Sequence, residues 1–135
     1  MKYKEQRKAH AKHNEAVAKH LQSCIDENCN DWVVVTLFYA SYHHALAALF
    51  PIEIRKDVKY ETFQRMYQRE NSSGIGRYEF ATMLVADRLP EIASMFSHLK
   101  ELSWKMRYQN HVVSDNDVKE CVDFAEKIQA VCLPK

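Results

Sequence analysis

Apolar positions recur at spacings of three and four along most of the chain, a rhythm that predicts helices throughout. A first helix is expected from Lys4 to Asp26, with Tyr3, His10, Val17, Leu21 and Cys24 on a stripe that is polar early and apolar late. A second, from Asp31 to Phe50, is apolar nearly all round, which places it at the centre of a bundle or beneath a partner. In the "ENCND" break between them, Asn30 or Asp31 can cap the second helix by accepting from its free N–H groups. Pro51 cannot continue that helix. A polar connection with a short helix around Tyr60 to Gln68 follows, then the loop "ENSSGIG", then a third pattern from Arg77 through Tyr78, Ala81, Met83, Leu84 and Val85. Pro90 either kinks this helix or opens a new one at its first position. Ile92, Met95, Phe96, Leu99, Leu102 and Met106 carry the rhythm on. Ser114 reads as the N-cap of the last helix, with Asp115 and Asp117 complementing its dipole and Val118, Cys121, Val122, Ala125, Ile128 and Cys132 on its buried stripe.

Two glycines and three prolines in 135 residues leave little turn chemistry for hairpins, so strand is expected to be essentially absent. The fold class is all-α: one domain over residues 1–135, an antiparallel up-and-down bundle of four to five helices. A net charge of +1 gives no global basic field of the kind that announces nucleic acid. The charge is nevertheless uneven. "MKYKEQRKAHAKH" carries five Lys or Arg, two His and one Glu, and residues 1–14 read as a projecting or frayed basic helix start, with an arm facing RNA or phosphate as the alternative.

The four cysteines, Cys24, Cys29, Cys121 and Cys132, include no CxxC pair and suit reduced thiols in a cytoplasmic protein, a Cys24–Cys29 staple being the alternative. No secretory signal is expected, because the first apolar run starts after residue 30. From Trp32 to Phe50 no Asp, Glu, Lys or Arg occurs in 19 residues, nearly enough to span a bilayer. Thr36, Tyr39, Ser41, Tyr42, His43 and His44 on that stretch favour a protein-enclosed helix and no membrane.

Candidate chemistry is sparse. His10, His13 and His20 lack carboxylates at matching positions, so no metal site and no cofactor is expected. No Ser-His-Asp or Cys-His set can be assembled, and "SSGIG" is far from a P-loop. His43 or His44 reads as a core histidine with a backbone or tyrosine partner. "WKMRYQNHVV" puts Arg107 four positions before His111, one turn apart on one helix face, with Tyr108 and Asn110 between them.

"DWVVVTLFYASYHHALAALF" resembles the second helix of the HEPN superfamily (higher eukaryotes and prokaryotes nucleotide-binding domain), which runs through apolar residues into Tyr-Ala-x-Tyr/Phe-His and an Ala/Leu stretch. "LKELSWKMRYQNHVVSDNDVKECVDFAEKIQAV" resembles that family's C-terminal half, and the similarity covers most of residues 15 to 132. The resemblance implies a helical bundle, frequently a homodimer, tied to RNA metabolism, toxin–antitoxin pairs or defence, often beside a nucleotidyltransferase partner. Active members carry Arg, four to six residues, then His, with a polar residue after the Arg, and two such motifs meet across a dimer groove in a metal-independent ribonuclease. There His serves as base toward a ribose 2′-hydroxyl, and Arg stabilises charge on the scissile phosphate.

Here three residues separate Arg107 from His111 and Tyr108 replaces the polar neighbour, so the motif is broken. One missing residue turns a side chain by about 100° on a helix. The expectation is a degenerate, non-catalytic HEPN-like domain that binds nucleotide, RNA or a partner protein through Arg107, Tyr108, Asn110, His111, His43 and Tyr39. An endoribonuclease using Arg107 and His111, and a structural dimer subunit of a larger complex, are the alternatives. The apolar circumference of the second helix is the argument for a homodimer, with the Arg107–His111 region near its groove.

Overall fold

The second helix organises the molecule because it has no polar face to turn outward. In the computed structural model, which describes residues 2–23, 29–109 and 112–133, it forms α2 (Asn30–Leu49), and fourteen of its twenty residues are buried within this one chain. By length and composition α2 could cross a membrane, yet 78% of its apolar window lies inside the fold. The remaining helices are α1 (Lys2–Gln22), α3 (Phe63–Glu70), α4 (Arg77–Arg88), α5 (Ala93–Tyr108) and α6 (Asp115–Cys132). Six α-helices therefore stand among the described residues, where four to five were expected. The architecture is all-α. Covering α2 needs no second copy, so the argument for a dimer drawn from its apolar circumference does not hold.

Phe38 lies at the centre of the core, with its ring edge-on to Phe96 of α5 and Tyr78 of α4 at centroid distances of 5.6 Å each. Leu46, Phe50, Phe63, Ile92, Leu99 and Ile128 are fully buried around it. Burying apolar side chains of this size contributes roughly 1.5–3 kcal/mol each. Cys121 and Cys132 fill this core as free thiols, and burial pushes both up to about 12, which leaves them unreactive. Cys24 lies outside the described residues, and with it the proposed staple to Cys29.

Helix α1 packs antiparallel to α2, since Tyr3 meets Phe50 (6.1 Å between rings) while Arg7 and His10 meet His43. The part expected to project, residues 1–14, is thus docked from Tyr3 onward. Its buried residues are two alanines, Ala11 and Ala18. Neither Asn30 nor Asp31 caps α2 as expected: Cys29 holds the cap position without a side-chain cap bond, and Asp31, already in the first turn, accepts from the adjacent Trp32 N–H. Asn30 instead uses its amide to donate to the Val113 carbonyl and to Asp115 Oδ1, which places the starts of α2 and α6 side by side.

One strand pair was not expected. β1 (Ile52–Arg55) and β2 (Val58–Tyr60) form an antiparallel hairpin with a bulge between Glu53 and Arg55. Its turn needs no glycine because Asp57 itself takes a left-handed conformation, φ 64°, which Asp tolerates better than most residues. The short helix accordingly begins at Phe63, capped by the Thr62 hydroxyl, which accepts from Arg65 N–H. Pro90 opens a single 3-10 turn before α5. Ser114 caps α6 in a reciprocal capping box with Asp117.

Candidate functional site

The loop before α4 fixes one wall of the site. Asn71 closes it by accepting from Ile75 N–H (3.1 Å) and, with the Tyr67 hydroxyl, donating to the Ile75 carbonyl. Gly74 supplies the one positive-φ step, 69°, that lets this loop turn and present Gly76 and Arg77 at the start of α4. The opposite wall is the C-terminal half of α5. Between them lies a cavity of about 390 Å³ whose polar lining includes Arg77, Lys100 and Arg107, with Trp104 and Tyr78 as aromatic walls and Phe38 at the base. Lys100 is paired with Glu79, and Glu101 also lines the opening.

Arg107 is held in place from three sides. Its Nη1 donates to the Tyr39 hydroxyl at 2.7 Å and its Nε to the Ser103 carbonyl at 3.3 Å. The guanidinium lies 5.7 Å from the Tyr39 ring centroid and 5.5 Å from that of Tyr108, within cation–π range. A second cavity, about 250 Å³, opens on its other side against Asp31, Trp32, Val35 and Met106. Trp32, Trp104 and Tyr108 are 57%, 46% and 66% exposed, an unusual density of accessible aromatic surface around one cation.

Charge is the unusual feature. Seven arginines occur, and Arg7 and Arg107 are the two that are half-buried. Exposed Arg55 and Arg88 have carboxylate partners in Glu70 and Asp87. Arg107 has none among the described residues: its acceptors are a hydroxyl and a carbonyl, both neutral. Cations withdrawn from water are ordinarily paired, and this one keeps its full charge at the edge of two cavities. Burial and the neighbouring Tyr39 raise the pKa of Tyr78, which keeps its hydroxyl neutral.

Of the residues expected at a site, the structure brings Tyr39, Arg107 and Tyr108 together. His43, one turn along α2 from Tyr39, is engaged elsewhere: it contacts Arg7 at 2.9 Å and stacks on His10. Asn110 and His111 lie outside the described residues. The helical stacking expected of Arg107 and His111 therefore also falls outside them; α5 itself runs to Tyr108, with Gln109 as its C-cap. Ser114 caps the next helix, α6. His44 is a core histidine, 3% exposed, with Nε2 3.3 Å from Glu15 Oε2. His10 and His13 are exposed, and among the described residues no group of three or more His, Cys, Asp or Glu could hold a metal ion.

The sequence reading missed Arg77, Trp104, Trp32 and Lys100. Trp104 precedes Tyr108 by four residues, the spacing that brings their rings to 5.6 Å, and this was the available signal. Nothing local marked Arg77, whose place depends on the loop closure. No family model, curated protein or solved structure matches the chain.

Proposed function

We propose that the chain is a non-catalytic, HEPN-like helical domain that binds nucleotide or RNA, with a phosphate on Arg107 and a base against Trp104. One observation carries the reading: a half-buried guanidinium, fixed by Tyr39 and Ser103, has neutral acceptors and no carboxylate among the described residues. Arg77 adds a second positive charge to the same cavity and makes no ion pair among the described residues. Planar donors beside accessible aromatic rings suit a phosphate next to a base. The broken Arg-to-His spacing and the end of α5 before His111 favour binding without cleavage. On this reading a homodimer would have the Arg107 region near the groove between its subunits, and a nucleotidyltransferase-type protein remains the partner that the resemblance implies.

The test is one titration in EDTA, following tryptophan fluorescence with uridine monophosphate and with a single-stranded RNA hexauridylate, and analysing the RNA afterwards for cuts. Binding that weakens with salt, falls ~10-fold or more in Arg107→Ala and leaves the RNA intact is expected. Cleavage abolished by His111→Ala with affinity retained would establish the ribonuclease alternative instead. Absence of any binding by the wild type would end the reading.

A further inference from the structure

The other half-buried arginine is built to the same plan. Arg7 donates from Nε to the Tyr3 hydroxyl at 3.1 Å and from Nη1 to His43 Nδ1 at 2.9 Å. Its guanidinium lies 5.2 Å from the Tyr3 ring centroid and 5.7 Å from that of Tyr42. Tyr3 is in turn fixed, since its hydroxyl also accepts from Phe63 N–H at 3.2 Å. Among the described residues Arg7, like Arg107, has no carboxylate partner, and the rest of its donor fork is uncommitted. The imidazole that accepts from it is neutral: burial first, then Arg7, His10 and His44, hold His43 down at about 4.

An aromatic surface lies beside this cation as well. His10, exposed on α1, stacks on His43 with centroids 5.0 Å apart and planes 24° from parallel. The outer face of His10 can extend that stack by one base. The two arginines are bound to residues one turn apart on α2, Arg107 to Tyr39 and Arg7 to His43.

We propose that Arg7, with the His43–His10 stack, is a second phosphate-and-base contact for the strand that Arg107 grips, so that the ligand is a single-stranded oligonucleotide and not a mononucleotide. The inference rests on the reading of Arg107 as a phosphate site. It assigns the basic start of the chain a fixed role: α1 lays one cation and one stacking ring beside the α2 stripe.

The same titration, extended to Arg7→Gln and His10→Ala, tests it. Both variants are expected to bind hexauridylate ~5-fold or more weakly while binding uridine monophosphate as the wild type does. Arg7→Gln should also flatten the slope of log affinity against log salt by ~0.7, the value for one phosphate contact on a single strand. Hexauridylate affinity that responds to Arg107→Ala but to neither α1 variant would overturn the inference and leave the Arg107 reading standing. A wild type that binds neither probe would overturn both. If Arg7→Gln lowers the melting temperature and weakens both probes, exposed His10→Ala decides: unchanged hexauridylate affinity there sinks the second contact.

Discussion

The guanidinium of Arg7 donates to Nδ1 of His43 at 2.9 Å, which joins α1 to α2 through a cation and an imidazole that must stay neutral. His43 is held at about 4 against an ordinary 6.5, chiefly by burial and then by Arg7, His10 and His44. The unfolded chain therefore takes up a proton near pH 6.5 that the folded chain refuses until about pH 4. Stability contributed by neutral His43 is full above pH 6.5 and is lost as pH falls through that window, by no more than ~2 kcal/mol given its partial exposure. Urea unfolding at pH 7, 5.5 and 4.5 should show this decline. His43→Gln should make the profile flatter; an unchanged slope would remove His43 as its source.

Tyr39→Phe keeps the ring beneath Arg107 and removes the hydroxyl that receives it. Hydrogen bonds to charged groups contribute ~1.5–3 kcal/mol when buried, and water can replace part of this one, so a loss of ~1 kcal/mol is expected. RNA affinity should fall several-fold because the guanidinium is no longer aligned. Arg107→Lys should not restore it, since an ammonium cannot donate in two fixed directions. Wild-type affinity in Tyr39→Phe, measured by fluorescence titration, would show that the alignment is irrelevant.

Ser114→Ala removes one half of the capping box at the start of α6. The expected cost is ~1 kcal/mol, or about 3–5 °C in melting temperature for a chain of this size. Because the change is exposed and away from the cavity, binding of uridine monophosphate should be unaltered. A thermal melt and one titration check both halves.

Phe38→Ala should be the most damaging of these substitutions. Its ring is fully buried against Tyr78 and Phe96 and forms the base of the larger cavity. Phe-to-Ala changes in cores cost ~3–5 kcal/mol. Calorimetry should show a large drop in melting temperature, and a loss under ~1 kcal/mol would mean that the core collapses onto the gap.

Which features were legible in the sequence depends on how local their cause is. The Ser114 cap, the Arg77 start of α4, the Pro90 break and the stripe on α6 follow from residues within one turn of each other, and the structure reproduces them. The hairpin was also local. "IEIRKDVKY" alternates Ile52, Ile54, Val58 and Tyr60 with charged residues, but the scarcity of glycine concealed a turn made by Asp57. The end of α5 at Tyr108 has no such local mark, because the Arg107–His111 spacing suits a helix wherever a helix continues. Arg107 and Tyr39 are 68 positions apart, and Arg7 and His43 are 36 apart. No periodicity encodes such pairs. They become visible only when the fold reveals which cations lack a counter-ion.

The thin alanine seam between α1 and α2 sets a clock for the molecule. With Ala11 and Ala18 fully buried and Tyr3 and Leu21 packed against the core, α1 lies close along α2, and that seam must part before the amide protons on its inner face exchange. Arg7 and His10 are then available only in the fraction of molecules whose α1 is docked, and the apparent affinity for a strand is scaled by that fraction. A ligand reaching them would slow the opening in proportion. Amide exchange along α1, with and without an oligonucleotide, would then report occupancy of the second contact as a change in rate.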